Sequence, residues 1–291
     1  MTVCVAALAD HRKAIVLAAD KMVGLGAIES EADIQKILAL RKDWWVMLAA
    51  DDISPAFDIV DHARKRLKNA RALGIDDVMD AVVKSYQEKR LKQAEAIYLA
   101  PRGWKLSEFN SRRVGDVIPQ NLRAELDFQM HAHRLSLSLL VAGFDRNGQG
   151  HIFSVYDYDN RGDARRHDIP GYHAIGSGSQ AAIYMMAYRD VSPVMPVRRM
   201  IFHVIEGKYF GELASGVGER TDLYIIRPGK PRIKIIEKAI EEKLIKLCQR
   251  LEPRLLDQKA IDVLNSFHGK GMNTIPKLKA KKTKKGLAIG T

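Results

Sequence analysis

Residues 2–20 read TVCVAALADHRKAIVLAAD. Two apolar runs, 2–9 and 13–19, flank the polar segment Ala9-Asp10-His11-Arg12, which is the pattern of two strands joined by a hairpin turn. The first strand begins directly after Met1 with Thr2 at its head, and the second ends on a carboxylate, Asp20. A hydroxyl at the head of one buried strand beside an acid at the foot of the next is either incidental or the reason the strands start and stop there.

Moving outward, KILAL (36–40) and WWVMLAA (44–50), separated by RKD, predict a second hairpin, with Trp44-Trp45 anchoring a strand end in the core. Ser54-Pro55 then supplies an N-cap and first helical position for a helix over 52–69 that carries Ile59, Ala63 and Leu67 on one face. Residues 76–98 predict a longer helix with acidic residues in its first turn, as the helix macrodipole favours. Alternation returns over 134–159 around the turn DRNGQG, a further hairpin. A short strand near 172–176 leads through GSGS into a helix, 196–216 is amphipathic, and 220–229 closes as a strand ended by Pro-Gly. Runs of strands and runs of helices in this order predict an α+β fold. Two antiparallel sheets pack face to face between helical layers, a four-layer αββα sandwich. The expected domains are 1–230 for the sandwich, 231–269 for a helical extension broken near Pro253, and 270–291 for a basic flexible tail.

Composition narrows the function classes. With 291 residues, 46% of them hydrophobic, the chain can bury one substantial core and an appendage. The apolar run VCVAALA is short, lacks a basic region before it and is broken by Asp10, His11, Arg12 and Lys13, so no signal peptide is expected. No stretch reads as a membrane span, and Cys4 and Cys248 lie too far apart to suggest a disulfide framework, so a reducing, cytoplasmic location is expected. The net charge of +12 is a tail property: residues 231–291 carry +9 and residues 1–230 only +3. No aromatic residue interleaves the run PKLKAKKTKKGLAIGT to stack a base, so the charge does not point to nucleic acid. His131-Ala-His133 would put two imidazoles on one side of a strand, yet no further ligand completes a metal shell, and neither metal nor cofactor is expected.

Taken in order, the motifs resemble the β-type subunits of proteasomes, within the N-terminal-nucleophile (Ntn) hydrolases, and in style the stand-alone bacterial proteasome homologues. The resemblance rests on Thr2-Val3 heading the first strand, IVLAAD ending in Asp20, Lys36-Ile37 opening the next hairpin, and AADD at its end. LVAGFD as the central strand, AIGSGS before the third helix and GVGERTDLYII as the last strand continue it, so that it spans residues 2 to 229.

The resemblance implies a threonine-type endopeptidase with Thr2 as nucleophile, assembled as a homo-oligomeric ring around peptide or unfolded-protein substrates. A threonine hydroxyl needs a base to attack, and an α-amino group with a reference pKa of roughly 7.7–8.0 is well matched to that task. Thr2 therefore works only once Met1 is removed, and its small side chain suits that removal without autocatalytic cleavage. By resemblance, Lys36 lies beside the nucleophile, Asp20 holds Lys36, Ser177 orients the terminal amine, the Ala50 N–H serves the oxyanion hole, and Leu48 and Asp52 line the substrate pocket. Ala50 stands where the family carries glycine. Ala214 and Val217 stand where it carries an aspartate and a serine that support the amine, with Ser215 or Glu219 as substitutes if the register shifts. The basic extension is expected to make ring contacts or to dock an unfoldase or an acidic partner. Two other readings are a noncatalytic structural subunit of the same fold and a small-molecule Ntn amidohydrolase.

Overall fold

A computed structural model describes residues 2–25, 28–31, 35–50, 52–69, 73–111, 118–156, 162–229, 234–235 and 238–251. Met1–Cys248 form one compact unit and Gln249–Thr291 a second. The tail expected over 270–291, and the break near Pro253, lie outside the described residues.

In chain order the strands are β1 (Cys4–Ala9), β2 (Ala14–Asp20), β3 (Met22–Leu25), β4 (Ile28–Glu31), β5 (Ile37–Arg41), β6 (Trp44–Ala50), β7 (Leu137–Phe144), β8 (Gly150–Tyr156), β9 (Asp163–Arg166), β10 (Tyr172–Ile175), β11 (Thr221–Ile226) and β12 (Lys234–Ile235). The helices are α1 (Ser54–Leu67), α2 (Ile75–Ala94), α3 (Leu106–Phe109), α4 (Gln120–Ala132), α5 (Ser179–Tyr188), α6 (Val197–Gly211) and α7 (Lys238–Leu251). One five-stranded sheet runs β10-β1-β2-β11-β12, the other β5-β6-β7-β8-β9, and β3-β4 is a separate ribbon. Among the described residues all the strand pairs are antiparallel.

The side chains of β1 explain the layering. Cys4, Ala6 and Leu8 join Ile15, Leu17, Met47, Leu140 and Ile152 in a core cluster drawn from both sheets, so the sheets pack face to face. Val3, Val5, Ala7 and Ala9 point the other way, into a cluster with Ala182, Met186, Met200 and Val204 of α5 and α6. On the far side, Val46, Leu48, Leu139 and Phe153 meet Ile59, Val60, Val78 and Val82 of α1 and α2. Because β1 is covered on both faces, its sequence is an unbroken apolar run rather than an alternation. The hairpin turn holds Asp10, His11 and Arg12 at positive φ. Arg12 bonds the Gly150 carbonyl (2.9 Å) and Asp168 (3.2 Å), while Asp10 accepts from Val197 N–H and pairs with Arg227, and these contacts offset the strain.

Several details differ from the sequence reading. Ile53, not Ser54, is the residue that precedes α1; Pro55 sits in the first turn and the Asp52 carboxylate accepts the Ser54 N–H at 2.9 Å. The long helix stops at Ala94 and continues as a π turn, Glu95–Leu99. His131 lies in helix α4 and His133 just past it, not on a strand, because Leu126 and Met130, four residues apart, face a satellite core with Leu99 and Phe109. Beyond residue 230, β12 pairs with β11, and Leu244, Ile245 and Cys248 of α7 pack on the α5–α6 cluster. Among the described residues no helix is long and apolar enough to cross a membrane.

Candidate active site

Thr2, Asp20 and Lys36 arrive from three chain segments at one end of the sandwich. Thr2 precedes β1, Asp20 ends β2 in the same sheet, and Lys36 leads into β5, the edge strand of the opposing sheet. Each is buried, with 3%, 1% and 3% exposure. Three polar side chains in so dry a place must satisfy one another.

They do so around one carboxylate. Asp20 Oδ1 accepts the Thr2 hydroxyl at 2.7 Å, the Val3 N–H at 2.9 Å and the Lys36 ammonium at 3.0 Å. Oδ2 accepts the N–H groups of Met22 at 3.0 Å and Gly218 at 3.2 Å. Lys36 Nζ also donates to Thr2 Oγ1. The threonine oxygen is thus held in a buried site between an ammonium, which favours loss of its proton, and a carboxylate, which opposes it. A surface ion pair of this kind would contribute little, about 0–1 kcal/mol, so its burial is what gives it weight.

The GSGS turn closes the site from the β10 side. The Thr2 N–H donates to Ser177 Oγ at 3.3 Å, the Ser177 hydroxyl reaches the Thr2 carbonyl at 3.4 Å, and the Gly178 N–H donates to that carbonyl at 3.3 Å. Gly176 has φ of +92°, and a Cβ there would lie 2.2 Å from the Thr2 carbonyl oxygen. Only glycine permits this approach.

The remaining predicted residues occupy the neighbouring strand end. Ala50 closes β6 opposite Leu137. The Leu48 side chain is buried in the cluster under α1, its N–H donates to the Lys36 carbonyl at 3.2 Å, and its carbonyl accepts the Cys4 thiol at 3.6 Å. Asp52 is exposed at the start of α1. Burial pushes the Cys4 thiol far up, so it stays protonated. Ala214 and Val217 pack into the α5–α6 cluster, while Ser215 and Glu219 are exposed. Gly218 is the contributor that sequence reasoning missed. It acts through its backbone N–H, which no side-chain pattern announces. Among the described residues no group of three or more His, Cys, Asp or Glu is placed to hold a metal ion.

Searches against protein-family models and against curated proteins returned no match to this chain.

Proposed function

We propose that the chain is a proteasome-like Ntn hydrolase, a threonine-type endopeptidase that uses Thr2 after Met1 is removed. The observation that carries this reading is the buried Thr2–Asp20–Lys36 cluster at the head of β1, with Ser177 against the Thr2 nitrogen. Once Met1 is gone, that nitrogen is an α-amine. It takes the proton of Thr2 Oγ1 as the oxygen attacks the scissile carbonyl, and Lys36 offsets the developing negative charge. The scissile C–N bond breaks, the departing amine takes up the proton, and an ester to Thr2 remains. Water then hydrolyses the ester with the α-amine again as base. The Ala50 N–H is the proposed donor to the oxyanion, and Leu48 and Asp52 border the proposed substrate pocket.

On this reading the chains assemble into a cytoplasmic homo-oligomeric ring that encloses the nucleophiles, and the basic segment 231–291 serves ring contacts or an acidic partner. The noncatalytic alternative draws on Ala214 and Val217, apolar residues where the family supports its amine with polar ones. Hydrolysis of a fluorogenic peptide, followed across a gel-filtration profile, separates the readings. Activity should co-elute with a species many times the 32.7 kDa chain and vanish in Thr2→Ala at the same elution position. An assembled but inactive wild type would favour the structural subunit, and an active monomer acting on small amides the amidohydrolase.

A further inference from the structure

Lys208, in the last turn of α6, is 1% exposed. Its three N–H donors are all engaged: the carbonyls of Gly218 and Glu219, each at 2.8 Å, and the Glu212 carboxylate. A buried ammonium carries a desolvation penalty that an apolar side chain in the same helix would not. What Lys208 grips is the loop between α6 and β11, and that loop supplies the Gly218 N–H to Asp20 Oδ2 at 3.2 Å. The side chains of Ala214 and Val217 in this loop are apolar and pack on the helical layer, so its polar fixing here comes through the backbone. The peptide units on either side of Gly218 share one Cα, so pinning the Gly218 and Glu219 carbonyls on the α6 side restricts how the Gly218 N–H can turn. From Asp20 the contact passes directly to Thr2 Oγ1 and Lys36.

We propose that Lys208 is a positioning residue for the Thr2 nucleophile, acting through the backbone of Gly218 and Glu219 on Asp20; the proposal rests on Thr2 being the nucleophile. In Lys208→Met the two carbonyls lose their donor, the loop relaxes, and Asp20 is held by one contact fewer. The defect falls on the chemical step and leaves substrate binding in place.

The test follows acylation of the full-length, Met1-free chain by a β-lactone, read by intact mass over time at several lactone concentrations. This yields the maximal acylation rate, the half-saturating concentration and the labelled fraction at completion. Lys208→Met should label completely, with an unchanged half-saturating concentration. The maximal rate should fall about tenfold to a hundredfold, the scale expected when a catalytic group is displaced. A folded variant with an unchanged maximal rate overturns the proposal, as does a slow variant whose completed labelling falls in proportion, because that marks loss of folded protein. If Lys208→Met does not fold, the double variant Lys208→Met/Glu212→Gln also neutralises the carboxylate that Lys208 contacts and is read by the same criteria; failure of both to fold makes Lys208 a folding residue and overturns the proposal. An unlabelled wild type sinks the nucleophile reading and this inference with it. A labelled wild type matched by its variant sinks only the inference.

Discussion

Gly176 shows how tightly a single residue constrains the candidate site. Its φ of +92° is strained for any side chain, and a Cβ would press on the Thr2 carbonyl and on Thr2 Cγ2 at 2.8 Å. Gly176→Ala should therefore cost about 2 kcal/mol or more of unfolding free energy in urea, from strain and from the displaced Thr2 backbone. A stability equal to wild type would show that the turn has room this structure denies it. Thr2 and Asp20 stand out in the sequence at the edges of apolar runs, whereas Lys36 and Ser177 stand out only through the resemblance to proteasome β-type subunits. Gly218 and Lys208 do not stand out. One acts through a backbone N–H and the other looks like any lysine on an amphipathic helix until the fold buries it.

At the scale of elements, His167 follows β9 of one sheet and His173 lies on β10 of the other, and their rings stack at 3.5 Å with planes 5° apart. Burial holds His167 down to about 3, reinforced by His173, and His173 down to about 4. Ser154 bonds His167 at 2.8 Å, Asp168 opposes the shift and Arg165 adds to it. Both imidazoles are thus neutral in the folded state, whereas the unfolded chain takes up protons near the reference value of about 6.5. Stability is then flat above about pH 6.5 and falls as pH drops toward 4, by about 3 kcal/mol for each ring before solvent screening of these part-exposed groups reduces it. His173→Phe keeps a ring to stack and should flatten that slope in thermal unfolding scans; an unaltered slope would exclude the pair as its source. The elements themselves were legible wherever burial left a simple signature, as in the doubly covered β1 and the α1 face of Ile59, Ala63 and Leu67. His131 and His133 misled because a three-residue alternation mimics a strand, while the period-four pair Leu126 and Met130 records the helix. The short edge strands β9 and β12 carry too little pattern to be seen without their neighbours.

At the scale of the whole molecule, two sheets and two helical layers bring Thr2, Asp20 and Lys36 to one end of the sandwich from segments up to 34 residues apart in sequence. The order of strands and helices made that architecture readable, since each sheet must bury both faces. The satellite core of Leu99, Phe109, Leu126 and Met130 was not readable, because α3 is a single turn and α4 buries only Leu126 and Met130. Whether the chain's own amine serves Thr2 can be tested on the purified protein. Purified chain is treated with a β-lactone and its intact mass and labelled peptide are determined, with Thr2→Ala alongside. The wild-type chain should lack Met1 and gain one lactone on Thr2, and Thr2→Ala should take up no label. A chain that retains Met1, or a label that persists in Thr2→Ala, would contradict the Thr2 mechanism.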